Sequence, residues 1–302
     1  MGTHPKFKAY SALVSVCFFW GTTYLGIRMA LESFPPLVLV CTRFLISGSV
    51  MLAAGWMLGV PFPRGRELTR TAFNGIFALA IGNACLTIAE LWVPSGLAAL
   101  ILTTSAFWTV GADAVLPGGE RLRLPTICGL IVGCLGAVLL VAPAAGNSGS
   151  GGDLLLGLVL LQLSCLAWAY GSIRQRRLDT ESHPIINGAV HQLVAGIVCL
   201  PFALLIPSDP IVWRTRGVVA LLYLVVFGSI VGYSSYVYAM EKLPVALVSI
   251  YTYVNPVVAV LLGWFVYREA FGMREAVAMG IIFVGVAIVS RYNRPAGAIE
   301  LD

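Results

Sequence analysis

Asn83, Thr87 and Glu90 stand at i, i+4 and i+7 inside an apolar run, so a helix there carries all three on one face. Polar side chains are costly in hydrocarbon, and a stripe of them turns to a cavity or a partner helix rather than to lipid. In a cavity they contact a solute. Between helices they only hold the bundle, each bond contributing about 1 kcal/mol or less. A second stripe, Ser249, Tyr251, Thr252, Tyr253 and Asn255, runs directly up to Pro256, whose missing N–H frees a carbonyl one turn earlier. Thr103, Thr104 and Ser105 precede Trp108 in the same way, and these hydroxyls either hold a solute's carboxylate or amine or bond back onto their own helix.

Aromatic residues concentrate at Phe18, Phe19, Trp20, Tyr24, Phe107, Trp108, Trp168, Tyr170, Tyr233, Tyr236, Tyr251 and Tyr253. Some belong to the belts at the membrane surface. Trp20, Trp108 and Trp168 lie about ten or more residues into their apolar runs, too deep for belt anchors. A cavity walled by such rings suits solutes with an apolar side chain, through stacking and, for an ammonium group, cation–π attraction. Ordinary packing of the bundle is the alternative use of the same rings.

The ionisable residues within apolar runs are few. Arg43 requires a carboxylate or several carbonyls nearby, with Asp113 and Glu90 as the candidates for a structural pair. His191, beside Gln192, is either a hydrogen-bonded core histidine or a proton relay. Glu120 and Glu269, at loop boundaries next to Arg121 and Arg268, read as helix-end caps. Neither half carries a carboxylate in the middle of its first helix, which leaves Glu90 as the candidate coupling residue for proton antiport. No GxSxG, no paired membrane aspartates and no His-rich metal spacing occur, so an enzyme, a metal site and a cofactor are not expected. The stretch GNSGSGG, Gly146 to Gly152, lacks the Lys and Ser or Thr of a phosphate loop and reads as a flexible linker.

The elements that must position these residues follow from composition. The chain of 302 residues is 59% hydrophobic and 11% charged, with a mean hydropathy of +0.90, where an average soluble domain is about 25% charged. A water-soluble globule is excluded, and a bilayer is the solvent. Apolar runs fall at about 9–30, 34–57, 72–92, 95–116, 124–142, 154–173, 185–206, 217–240, 243–266 and 275–290, which predicts ten spanning helices. The connections leave no room for a nucleotide-binding, kinase or protease module, and ATP-driven transport by this chain alone is excluded with them. The first run, after Lys6 and Lys8, lacks a cleavage site and reads as a retained span. All seven cysteines fall inside apolar runs, as reduced core residues.

Lys and Arg counted over alternate loops divide thirteen to five, with Arg43 alone inside a span, which puts both termini in the cytoplasm. The basic residues stand singly in short loops, so the net charge of +5 marks orientation and not a nucleic-acid partner. The halves repeat at a spacing of 149 residues: Pro35 with Pro184, Glu120 with Glu269, Gly136 with Gly285, and Ala106 to Glu120 without a gap on Asn255 to Glu269. Trp20 matches Trp168 with a one-residue slip. Five spans per unit make the second unit enter the membrane from the opposite face. Inverted repeats place a site near the midplane between the halves. Gly129 and Gly133 form a GxxxG face, either for packing within the bundle or for a dimer.

Three segments carry a family resemblance: FFWGTTYLGIR, PSGLAALILTTSAFWTVGADAVLPGGERL and LPVALVSIYTYVNPVVAVLLGWFVYREAF. They resemble the drug/metabolite transporter superfamily, EamA type, across nearly the whole chain, with Asn255, Pro256, Glu269 and Glu120 as the best marks. Ala106 and Phe107 depart from the polar residue and proline found at Asn255 and Pro256. The resemblance implies a ten-span inner-membrane exporter of amino acids and related metabolites, most similar to the family's aromatic amino-acid exporters. It also implies a central cavity walled by helices 1, 3, 4, 6, 8 and 9, with helices 5 and 10 peripheral.

The expected protein is therefore an all-α polytopic membrane protein with ten transmembrane helices as two inverted five-helix repeats, residues 1–145 and 153–302, joined by a linker at 146–152. Secondary export of neutral, aromatic or hydrophobic amino acids by alternating access is the leading expectation, with broad drug or lipophilic-amine efflux second and a passive channel or scaffold third. The expected binding residues are Trp20, Asn83, Thr87, Thr104, Trp108, Trp168, Tyr233, Tyr236, Ser249, Tyr253 and Asn255. Glu90 and His191 are expected for coupling. The partners are a small-molecule substrate and the bilayer of a bacterial inner membrane, with the chain a monomer or weak homodimer.

Overall fold

The structure is a computed structural model and describes residues 5–93, 98, 101–115, 123–145, 151–177, 182–206, 209–267 and 272–292; among these there is no strand. The helices are α1 Pro5–Leu31, α2 Pro36–Met57, α3 Gly65–Ala89, α4 Ser105–Val115, α5 Leu124–Ala145, α6 Gly151–Arg176, α7 Pro184–Leu205, α8 Thr215–Lys242, α9 Val245–Val248, α10 Tyr251–Tyr267 and α11 Met273–Tyr292. Prolines set two of the starts. Pro36 opens α2, and Pro184 opens α7 behind His183, whose Nδ1 accepts from Ile185 N at 3.3 Å. The loop between α2 and α3 needs left-handed backbone at Gly59 (φ 63°) and Gly65 (φ 53°).

Among the described residues six helices, α1, α2, α3, α6, α7 and α8, are long and apolar enough to cross a membrane, and Leu124–Leu139, Val245–Ala259 and Ala276–Val289 are shorter apolar helices. Their outward faces carry exposed Val14, Phe18, Leu135, Leu163, Ile197, Phe283 and Val284, a surface that lipid covers and water does not. The run expected at 95–116 is described in part. The linker expectation falls largely outside the described residues, and α6 already begins at Gly151. Glu120 and Glu269 also lie outside them.

Two helices are not regular throughout. Within α3 the stretch Ile76–Ile81 is π-helical, and within α8 so is Leu224–Gly232. Their first residues are 148 positions apart. Glycines then bring helices close in matched pairs. α2 packs along α7: a Cβ on Gly48 would stand 2.8 Å from Leu193 Cγ, and one on Gly196 would stand 2.7 Å from Leu45 Cγ. α5 packs along α11 in the same reciprocal way. A Cβ on Gly136 would lie 2.8 Å from Ile282 N, and one on Gly285 would lie 2.5 Å from Gly133 N. In each case residue i meets the counterpart of j while j meets the counterpart of i.

The GxxxG pair is used inside the bundle, Gly129 against Gly285 and Val289 of α11 and Gly133 against the Tyr253 ring. All seven cysteines are free thiols; Cys41, Cys85, Cys165 and Cys199 are buried, while Cys128 is exposed.

Candidate functional site

A cavity of about 90 Å³ lies within the bundle. α1 contributes Trp20, Thr23, Tyr24 and Ile27; α3 Leu79, Gly82, Asn83 and Leu86; α6 Ser164, Cys165 and Trp168; α8 Gly228, Ser229 and Tyr233; α10 Tyr251, Thr252 and Asn255. Leu102 and Ser105 complete this wall at the start of α4. These are the elements the resemblance implied. α2 adds Arg43 and Phe44, which it did not.

Aromatic rings interlock along one side. Trp20 meets Trp168 edge-on at 5.3 Å, Tyr251 edge-on at 5.1 Å and Tyr236 at 5.0 Å. Trp168 also meets Tyr236 at 5.1 Å and Tyr233 at 6.3 Å. The Trp20 indole is tied down by its N–H, which donates to Gly228 O at 3.0 Å, and it comes this near because Gly232 has no Cβ. Offset and edge-on pairs of this kind are each worth about 0.5–1.5 kcal/mol beyond area burial, so the wall is stiff before any solute arrives.

Of the predicted binding residues, Trp20, Asn83, Trp168, Tyr233 and Asn255 line the cavity. Tyr236 supports the lining rings from behind. Thr87 and Ser249 are buried outside the lining. Tyr253 is turned the other way, its ring beneath Gly133 of α5. Thr104 and Trp108 share Gln162: Gln162 Nε2 donates to Thr104 Oγ1 at 3.2 Å and Trp108 Nε1 donates to Gln162 Oε1 at 3.1 Å. Trp108 is 43% exposed and is not among the residues that line the cavity. Asn255, with its amide nitrogen oriented to donate, holds α10 to α1 through Cys17 O (3.1 Å) and reaches Tyr251 O (3.0 Å).

The ninth span breaks at Ser249–Ile250, between α9 and α10, and α10 runs on through Pro256. The break thus lies N-terminal to Pro256 and not at it. Thr252 Oγ1 donates to Ser249 O at 2.8 Å across it, so the hydroxyls bond back locally.

The ionisable residues sort differently from expectation. Asp113 pairs with Arg177, Oδ1 to a terminal guanidinium nitrogen at 2.8 Å, and is not the partner of Arg43. Glu90 caps the end of α3, and both its carboxyl oxygens are buried without a hydrogen bond. Arg43 Nε donates to Ser229 Oγ at 2.7 Å, and the guanidinium carbon sits 5.1 Å from the Phe44 ring centroid. Sequence reasoning placed Arg43 in a structural pair because its neighbours on α8 are 186 residues away.

His191 is fully buried and bridges the cavity wall to the bundle's other polar cluster. Gln175 Oε1 accepts from Asn74 Nδ2 at 3.1 Å and lies 3.0 Å from His191 Nε2, which assigns the ring proton to Nε2. His191 Nδ1 then accepts from the Tyr233 hydroxyl at 2.6 Å. Tyr233 has spent its proton on the histidine, so toward the cavity its oxygen acts as an acceptor.

Known proteins fit this frame. The EamA-like transporter family matches residues 7–142 and again residues 155–291. An uncharacterized inner membrane transporter of Escherichia coli K12, YedA, is 34% identical over 95% of this chain and 92% of its own. A probable terminal-alkyne amino-acid exporter of Streptantibioticus cattleyicolor is 26% identical over 94% of both chains. A solved crystal structure 24% identical to this chain superposes with a TM-score of 0.81, covering 94% of this chain and 97% of that one, which establishes a shared fold.

Proposed function

We propose that this chain, which belongs to the EamA-like transporter family, is a secondary exporter of neutral aromatic or hydrophobic amino acids and related metabolites. The observation that carries the reading is the cavity itself: Trp20, Trp168, Tyr233 and Tyr251 form an aromatic wall interrupted by a few hydrogen-bonding groups. Such a surface desolvates an apolar side chain and leaves its backbone-like polar end to the side chains opposite. The Streptantibioticus relative is named for amino-acid export.

In this reading the chain forms ten spans as two inverted repeats, 1–145 and 153–302, and moves its substrate by rocking one half against the other. Three features support the repeat: the family matches twice, the two π-helical stretches fall at equivalent positions, and the glycine contacts of α2 with α7 and α5 with α11 are reciprocal. Reciprocal contact is the signature of a two-fold relation. The protein resides in a bacterial inner membrane with both termini cytoplasmic, an orientation that the thirteen-to-five division of basic residues supports.

Proteoliposomes preloaded with L-phenylalanine test the function. Saturable counterflow of labelled L-phenylalanine, competed weakly by L-alanine, is the expected result. A linear, non-saturable flux makes the protein a passive pore, and no flux of any amino acid removes the reading.

A further inference from the structure

Arg43 lies about 10 Å along α2 from its first residue, within the apolar core of the bundle. An arginine at that depth faces protein or cavity and needs compensation. Its Nε is satisfied by Ser229, but among the described residues its four terminal N–H groups have no hydrogen-bond acceptor and the guanidinium has no carboxylate partner. Asp113 is engaged by Arg177. The guanidinium forms part of the cavity wall, and it is the one charged side chain among the described residues that line it.

The platform beneath it is built. The Ser47 hydroxyl lies 2.8 Å from Arg43 O and beside Gln192 Oε1, its one proton shared between these two acceptors, and Gln192 Nε2 donates to Ser229 O at 3.2 Å. Three helices thereby fix the Nε edge of the fork, and the Phe44 ring steadies its face. What remains open is the edge that carboxylates take in pairs of parallel bonds. One guanidinium balances one carboxylate, whereas a phosphate dianion would leave a net negative charge in the apolar bundle.

We infer that Arg43, held by Ser229, binds the carboxylate of the transported solute, so that the substrates are carboxylic acids, amino-acid zwitterions foremost, and not lipophilic amines. The inference rests on the cavity being the transport site. It adds a polar end to the aromatic wall: the side chain packs on Trp20 and Trp168 while the carboxylate meets Arg43.

The test titrates the purified full-length protein in detergent, read by thermal shift, with L-phenylalanine, L-phenylalaninamide, phenethylamine, L-leucine and L-leucinamide. Wild type is expected to bind each acid roughly 10- to 100-fold more tightly than its amide, the range for losing hydrogen bonds to a charged group. Arg43→Gln should abolish that ratio by weakening the acids alone, and Arg43→Lys should restore part of it. Equal wild-type affinity for acid and amide overturns the inference while leaving aromatic transport standing, and needs no variant to fold. Equal loss of acid and amide in a monodisperse Arg43→Gln protein overturns it as well. If only L-leucine binds, in preference to its amide, the aromatic reading fails and the role of Arg43 holds. If phenethylamine alone binds, both fail.

Discussion

Trp168 and Trp108 occupy similar depths in their apolar runs, but of the two Trp168 lines the cavity, and their substitution separates a binding surface from a packing surface. Trp168→Ala removes a ring that contacts Trp20, Tyr236 and Tyr233 at 5.3, 5.1 and 6.3 Å and lines the cavity. Losing one aromatic contact to a bound ring costs about 0.5–1.5 kcal/mol, so the preference for L-phenylalanine over L-alanine should fall roughly 2- to 12-fold. The same change costs about 3–5 kcal/mol of stability, so the folded fraction must be measured by size exclusion before transport is compared. Trp108→Ala breaks one hydrogen bond to Gln162, which keeps its bond to Thr104, at a cost of about 1 kcal/mol. It should leave the preference unchanged. Concentration-dependent uptake of both amino acids into proteoliposomes reads the ratio. The reasoning is refuted if Trp108→Ala lowers the preference as far as Trp168→Ala, or if monodisperse Trp168→Ala protein loses both substrates equally.

Gly285→Ala would drive a Cβ to within 2.5 Å of the Gly133 backbone and should destabilise the detergent-solubilised protein by about 1–3 kcal/mol, whereas Gly111→Ala, with nothing within 4 Å, should melt like wild type. Equal melting temperatures would remove the tight α5–α11 contact. In a cysteine-free background, an impermeant maleimide added to intact cells should label a cysteine at exposed Asp209 and spare one at exposed Arg66; the opposite pattern reverses the topology. Uptake should be insensitive to a pH step of about one unit, worth about 1.4 kcal/mol per proton, and equally so in Glu90→Gln, which breaks no hydrogen bond. Proton-driven accumulation that disappears in the Gln variant would instead make Glu90 the coupling residue.

The helices were legible because each span is a continuous apolar run between charges or prolines, and a bilayer demands that pattern directly. Depth along the run singled out Trp20 and Trp168, and both line the cavity. Azimuth was not legible. In lipid the outward face of a helix is as apolar as the inward one, so nothing in the spacing of Trp108 or Tyr253 tells a cavity face from any other, and neither lines the cavity. The Arg43 site was hidden for another reason: its supports on α7 and α8 are joined to it only by the tertiary fold. Its charge within an apolar run was the available signal, and it is consistent with a paired arginine as readily as with an open one.

The π-helical stretches were wholly illegible, since Ile76–Ile81 and Leu224–Gly232 look like any apolar helix, yet they shape the cavity. Widening the turn misaligns carbonyls with their own helix, and a buried carbonyl must find a donor. Here the donors come from neighbouring helices: Trp20 to Gly228 O, Gln192 to Ser229 O, and Ser164 to Gly82 O just past the first stretch. The wall beside Arg43 is therefore held by bonds between helices rather than within one. On the alternating-access reading, a half that rocks exchanges such inter-helix bonds while its in-helix ladders persist, and Leu79, Gly228 and Ser229 are the π-helical residues that border the cavity.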